Sequence, residues 1–139
     1  MKESNLVILA ERIATAAHAG QFRRGGKTPY IEHPKSVVSR VGSDPDAQIV
    51  AWLHDVVEDT GVDLDELREK GIPARCLEAI RLVTKVEGIG YEPYLDKIAE
   101  SPLATKVKIA DMISNLADNP SRKQLKKYAR GLVILTRDL

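Results

Sequence analysis

Residues 44–61 read DPDAQIVAWLHDVVEDTG. Asp44 before Pro45 is a helix start. A short acidic side chain can accept from the first free N–H groups, and proline suits the first position, where no N–H partner is needed. Ile49, Val50, Trp52, Leu53, Val56 and Val57 leave little of the circumference polar, so this third helix is expected to be central and to run to Gly61. Its last two turns carry His54, Asp55, Glu58 and Asp59. On one continuous helix His54 lies over Glu58 and Asp55 over Asp59. Carboxylates at a helix C-terminus oppose the dipole, and like charges this close are costly unless something positive stands beside them.

The periodicity is helical on both sides of this segment. Leu6, Leu9, Ile13, Ala16 and Ala17 mark a first helix that Gly20 can stop. Residues 21–34, QFRRGGKTPYIEHP, form a Gly- and Pro-containing loop, after which Pro34 opens a second helix with Val37, Val38 and Val41. Beyond Gly61, Asp63 with Glu66 resembles a capping box for a short helix closed by Gly71, and Pro73 opens the next. A loop over residues 84–93 precedes a helix in YLDKIAE. Ser101-Pro102 starts a long helix, Asn119-Pro120 breaks it, and Ser121 with Gln124 caps the last. No segment alternates as a strand and no repeat is visible. The expectation is an all-α, single-domain bundle over residues 1–139 with seven or eight helices.

Composition narrows the function. The net charge of +1 gives no global field for nucleic acid or membrane. Aromatic residues make up 4%, too few for a base-stacking platform. The single cysteine, Cys76, excludes an intrachain disulfide and a thiolate zinc site, and a core role is expected for it. The N-terminus is amphipathic and interrupted by charge, unlike a signal peptide, and no apolar run reaches membrane-spanning length. A cytoplasmic protein is expected. Gly25 and Gly26 precede no Walker pattern, so an NTPase is rejected.

Two readings of the acidic helix end stay open from spacing alone: a divalent cation that offsets the carboxylates, held in part by His54 and Asp55, or a solvated acidic terminus. Asp111 poses a related problem. It lies in VKIADMISNLAD, residues 107–118, among Val107, Ile109, Ala110, Ile113 and Leu116. A buried aspartate needs a partner. A metal or a lysine would serve, and Lys108, Asp111 and Asn115 fall on one stripe.

AHAGQFRRGGKTPYIEHP, WLHDVVEDT and VKIADMISNLAD resemble, in order, three motifs of the hydrolase domain of the RelA/SpoT family, within the HD phosphohydrolase superfamily. The resemblance spans nearly the whole chain. It is similar to the single-domain versions, with no room for the synthetase or regulatory domains of long members. It implies an HD-type helical fold with His33, His54, Asp55 and Asp111 as ligands of one divalent metal, usually Mn²⁺. Glu58 and Asp59 match the catalytic acidic pair, and Asn115 matches a contact to the nucleotide sugar. Arg23 and Arg24 match basic residues near base and phosphates, and Tyr128 a nucleotide-contacting tyrosine. His18 is more structural than ligating. The chain departs from the family at Met112, Ala117 and Phe22, where basic residues are common, which leaves the preferred base open.

The implied reaction is removal of pyrophosphate from the 3′ position of (p)ppGpp or a related alarmone such as (p)ppApp. The substrate is a small nucleotide, and the oligomeric state is left open. A substrate this anionic needs cations around an acidic site. Arg23, Arg24 and Lys27 in the loop are placed to clamp phosphates, with Lys108, Lys85 and Lys106 as further candidates. Another HD-family nucleotidase or phosphodiesterase shares the metal set. A dinuclear oxygenase would need more histidines than the three present. A non-enzymatic nucleotide-binding module would not need the acidic pair.

Overall fold

The segment that begins at Asp44 folds as its caps dictate, but it does not run unbroken to Gly61. A computed structural model describes residues 2–139. Its helices are α1 (Glu3–Ala17), α2 (Glu32–Ser39), α3 (Pro45–Leu53), α4 (Val56–Asp59), α5 (Leu64–Glu69), α6 (Ala74–Val83), α7 (Tyr91–Ala99), α8 (Pro102–Leu116) and α9 (Arg122–Thr136). Among the described residues the only β pairing is one isolated antiparallel bridge, Phe22 to Pro29. The all-α class is therefore as expected.

Asp44 Oδ1 accepts from the Asp46 N–H at 3.1 Å, with Pro45 in the first helical position. Every side chain from Ile49 to Leu53 is buried. α3 can be apolar all round because α1, α2, α6 and α8 pack against it. α8 begins with Ser101 accepting from the Ala104 N–H, and α9 with the Ser121–Gln124 capping box. α7 starts at Tyr91, earlier than expected, because Pro93 falls in its first turn, where proline costs no hydrogen bond. Cys76 is buried.

The correction concerns the third helix. α3 ends at Leu53, His54 and Asp55 form a turn, and α4 is a separate short element. The cause is local. His54 Nδ1 donates to the Ala51 carbonyl at 2.7 Å. A continuing helix would offer that carbonyl to the Asp55 N–H. The side chain competes with the backbone, and the chain turns. His54 and Glu58 therefore lie on separate elements, whereas Asp59 still follows Asp55 by one helical turn, its N–H donating to the Asp55 carbonyl at 2.9 Å. The single extra helical segment comes from this break.

α9 passes α8 through Gly131. A Cβ there would lie 2.7 Å from both Met112 Cε and Tyr91 Oη. Gly131→Val should therefore destabilise the protein by about 1–3 kcal/mol, the usual range for overpacking. Thermal denaturation reads the effect, and an unchanged melting temperature would contradict this packing.

Candidate metal centre

Three elements bring together residues that are remote in sequence. α2 supplies His33 in its first turn, the α3–α4 turn supplies His54 and Asp55, and α8 supplies Asp111. One donor atom from each lies within 4.8 Å of all the others. His33 Nε2 is 2.8 Å from Asp111 Oδ1 and 3.7 Å from Asp55 Oδ2. His54 Nε2 is 3.0 Å from Asp55 Oδ2 and 3.3 Å from Asp111 Oδ1. Ligands about 2.0–2.2 Å from one cation would stand about 3 Å from their neighbours, the spacing found here.

The tautomer of His54 tests the fit. Its Nδ1–H is committed to the Ala51 carbonyl, so the neutral ring presents a bare Nε2 to two carboxylate oxygens. A proton on Nε2 has no well-aligned acceptor, since this buried atom makes no hydrogen bond despite those short distances. A shared cation satisfies the lone pair and both oxygens together. Two imidazoles and two carboxylates are a donor set for a divalent transition metal. The backbone contact that fixes the ring is the usual outer support of a metal-binding histidine.

The carboxylates are held ionised. Burial would raise the Asp111 pKa, but Lys108, His33 and His54 bring it well below the ordinary range. Burial likewise opposes ionised Asp55, yet His54 outweighs it and the pKa falls to about 2. Burial pushes His54 down, and Asp55 with Asp111 overcomes this, placing it well above its usual value, so a cation bound at Nε2 would take the place of a proton. These are the pulls of an anionic nest on whatever positive charge it holds.

Asp111 has the lysine partner considered for it, and its other oxygen faces the candidate metal site. Its Oδ1 faces the histidines, while Oδ2 accepts from Lys108 Nζ at 2.9 Å. Asn115 Nδ2 adds a bond to Oδ1 at 3.2 Å. Sequence reasoning missed Tyr30, whose hydroxyl donates to Asp55 Oδ2 at 2.6 Å. Its position one turn before His33 was the available signal.

The acidic pair lies beside this cluster. Asp55, Glu58 and Asp59 have carboxylate oxygens within 4.8 Å of one another. Glu58 Oε1 accepts from the Lys85 N–H at 2.6 Å. The Asp59 pKa is raised, first by burial and then by Asp55 and Glu58. A cavity of 220 Å³ joins these residues to Lys85, Lys108, Asn115, Lys127 and Tyr128. A larger groove of 480 Å³ beside Ile109 and Leu135 holds none of the metal-ligating side chains.

The loop arginines expected to clamp phosphates have protein partners in this structure. Arg23 pairs with Asp118 at 2.8 Å and reaches Asn115 Oδ1 at 3.2 Å. Arg24 donates to Gln124 at 2.5 Å and to the Asp118 carbonyl at 3.2 Å. Both arginines are drawn to the α8–α9 junction, and neither lines the cavity. Lys27 is exposed and also outside the cavity lining. The loop is pinned rather than free: Arg23 N–H donates to Thr28 O at 2.7 Å and Tyr30 N–H to Gln21 O at 2.8 Å. Lys106 faces Asp44 at 3.9 Å. His18 is buried against Gln21 and Tyr30 and stands outside the donor cluster.

No family model matches the chain. Curated proteins do. A probable GTP pyrophosphokinase of Mycobacterium leprae is 31% identical over 151 residues, covering 96% of this chain and 19% of its own length. A guanosine-3′,5′-bis(diphosphate) 3′-pyrophosphohydrolase of Haemophilus influenzae is 34% identical over 113 residues, covering 76% of this chain and 16% of its own length. The chain thus spans less than one fifth of the length of these relatives. Among solved structures, a metazoan ortholog of SpoT, described as hydrolysing ppGpp, superposes with a TM-score of 0.75 at 23% identity. The superposition covers 94% of this chain and 83% of that one, and establishes a shared fold. Among the described residues, no helix is long and apolar enough to cross a membrane.

The Tyr30–Asp55 bond gives a test that does not depend on turnover. Tyr30→Phe should weaken divalent-metal binding by about 10–100-fold, the usual effect of removing an outer support. Calorimetric titration of metal-free protein measures it, and equal affinity would show that Tyr30 does not orient Asp55.

Proposed function

Given that the chain belongs with the HD-domain hydrolases of RelA/SpoT type, we propose that it removes pyrophosphate from the 3′ position of (p)ppGpp or of a related alarmone such as (p)ppApp. His33, His54, Asp55 and Asp111 hold one divalent cation in this reading, Mn²⁺ by the family resemblance, although two imidazoles and two carboxylates also accept Fe²⁺ or Co²⁺. The observation that carries it is the meeting of these four donors beside Glu58 and Asp59, with His33, Asp55 and Asp111 lining one cavity that also presents cations.

The bound cation supplies Lewis acidity toward phosphoryl oxygen and acidifies water. The remaining work falls to side chains. Glu58 and Asp59 accept the proton that water loses as its oxygen bonds to phosphorus. Asp59 suits this, because burial and its anionic neighbours raise its affinity for a proton. The Lys85 N–H fixes one Glu58 oxygen and leaves the other for water. The bond from phosphorus to the ribose 3′ oxygen breaks, and that oxygen departs as a hydroxyl, drawing its proton from the acidic pair. Asn115 and Tyr128, both on the cavity wall, contact the nucleotide. Lys108 neutralises Asp111 and keeps it a ligand. Arg23 and Arg24 meet the substrate at the rim, exchanging their contacts at the α8–α9 junction for phosphate. We place this activity in the cytoplasm, on a small-molecule substrate.

Metal-stripped protein should cleave neither ppGpp nor ppApp, and added Mn²⁺ should restore pyrophosphate release from at least one. Absence of cleavage with Mn²⁺ present would overturn the reading. Orthophosphate released from ordinary nucleoside monophosphates would instead point to another HD-family phosphohydrolase. Glu58→Gln should lower turnover by about 10²–10⁴, the usual contribution of a general base, while melting temperature and metal content stay unchanged. Wild-type turnover in this variant would remove Glu58 from the chemistry.

A further inference from the structure

The first turns of α9 are electrostatically unfavourable as they stand. They carry Arg122, Lys123, Lys126 and Lys127, with no acidic residue in the first turn. Cations at a helix N-terminus oppose the dipole, and Lys123 and Lys127 share one face at i, i+4. Folding does not require this pattern, because the Ser121–Gln124 box already satisfies the terminus.

Lys127 turns that excess toward the cavity. Its Nζ stands over the rings of Tyr91 and Tyr128, 5.0 and 5.7 Å from their centroids. It shares the cavity with Asp55, Asp111 and the acidic pair. The other two lysines there are engaged: Lys108 Nζ with Asp111 at 2.9 Å, and Lys85 Nζ with the Ile89 carbonyl at 3.1 Å. Among the described residues, Lys127 Nζ has aromatic faces as neighbours and no carboxylate or carbonyl partner. Lys127 is exposed at the cavity rim, where partial burial, Lys108 and Lys85 lower its pKa and Asp111 opposes them. The cavity therefore has two walls, one of metal donors and proton acceptors, the other cationic with an unused donor.

We propose that Lys127 is a phosphoryl-binding residue, supplying the ammonium that grips a phosphate group of the substrate opposite the metal ligands. This deepens the reading given under Proposed function and rests on it. The group it binds is either the pyrophosphate that departs or the 5′ phosphates, which share one chemistry. Tyr91 and Tyr128 fix the height of the ammonium over the cavity, so Lys127 selects for a phosphorylated partner without taking part in proton transfer.

Kinetics of wild type, Lys127→Ala and Lys127→Arg test this on two substrates: guanosine 3′,5′-bis(diphosphate), and guanosine 3′-diphosphate with a free 5′ hydroxyl. Lys127→Ala should raise KM for the first by roughly tenfold with kcat within about twofold, as for a lost charge-assisted bond made equally in ground and transition states. Lys127→Arg should restore most of it. A KM effect that persists on the second substrate assigns the contact to the departing pyrophosphate, and one that disappears assigns it to the 5′ phosphates. Unchanged KM on both substrates, or a fall in kcat in place of the KM rise, overturns the proposal. If wild type cleaves neither substrate, the guanine form of the alarmone reading fails, and calorimetric binding of inorganic pyrophosphate still decides the role of Lys127. Binding about tenfold weaker in Lys127→Ala supports the role. Equal binding, or none by wild type, overturns it.

Discussion

The hydrogen bond from His54 Nδ1 to the Ala51 carbonyl is the constraint on which the site depends. It ends α3 at Leu53, fixes the imidazole tautomer and aims Nε2 inward. It also frees Asp55 from the helix, so that two adjacent residues reach the same point. Were the helix continuous, their side chains would diverge by about 100° around its axis. A single side chain-to-backbone bond thus converts a buried structural helix into one edge of a binding site. The rest of α3 tolerates the break because it is held on all sides by other helices.

Charge is the second constraint. The fold places Asp55 and Asp111 against two histidines in a buried location, and it adds Glu58 and Asp59 alongside. Burying so many anions is unfavourable without compensation. Lys108 offsets part of it, by binding the Asp111 oxygen that does not face the histidines. A cation between the four donors would offset the remainder, and positive charge on α9 faces them across the cavity. The acidic and basic walls thus face each other across one cavity, an arrangement that fits the polyanionic substrate proposed above.

Much of this was legible in the sequence, for identifiable reasons. Asp44-Pro45, Ser101-Pro102 and the Ser121–Gln124 box mark helix starts by local chemistry, and all three act there. The convergence of His33, His54, Asp55 and Asp111 was not readable from spacing, because they lie on separate elements; it came from the resemblance of three motifs taken together. The break at His54 was invisible to periodicity, since hydrophobic spacing does not register a side chain competing for a backbone carbonyl. The fate of Arg23 and Arg24 was hidden for a similar reason. Their partners, Asp118 and Gln124, are some 90–100 residues away along the chain and meet them only after α8 and α9 pack. Lys127 reads as one of many surface charges until Tyr91 and Tyr128 place it over the cavity.

Crystals grown with Mn²⁺ and measured for anomalous scattering give the most direct view of the central interaction. The predicted result is one strong peak bounded by His33 Nε2, His54 Nε2 and the carboxylates of Asp55 and Asp111. An empty centre, or a peak held only by Glu58 and Asp59, would contradict it.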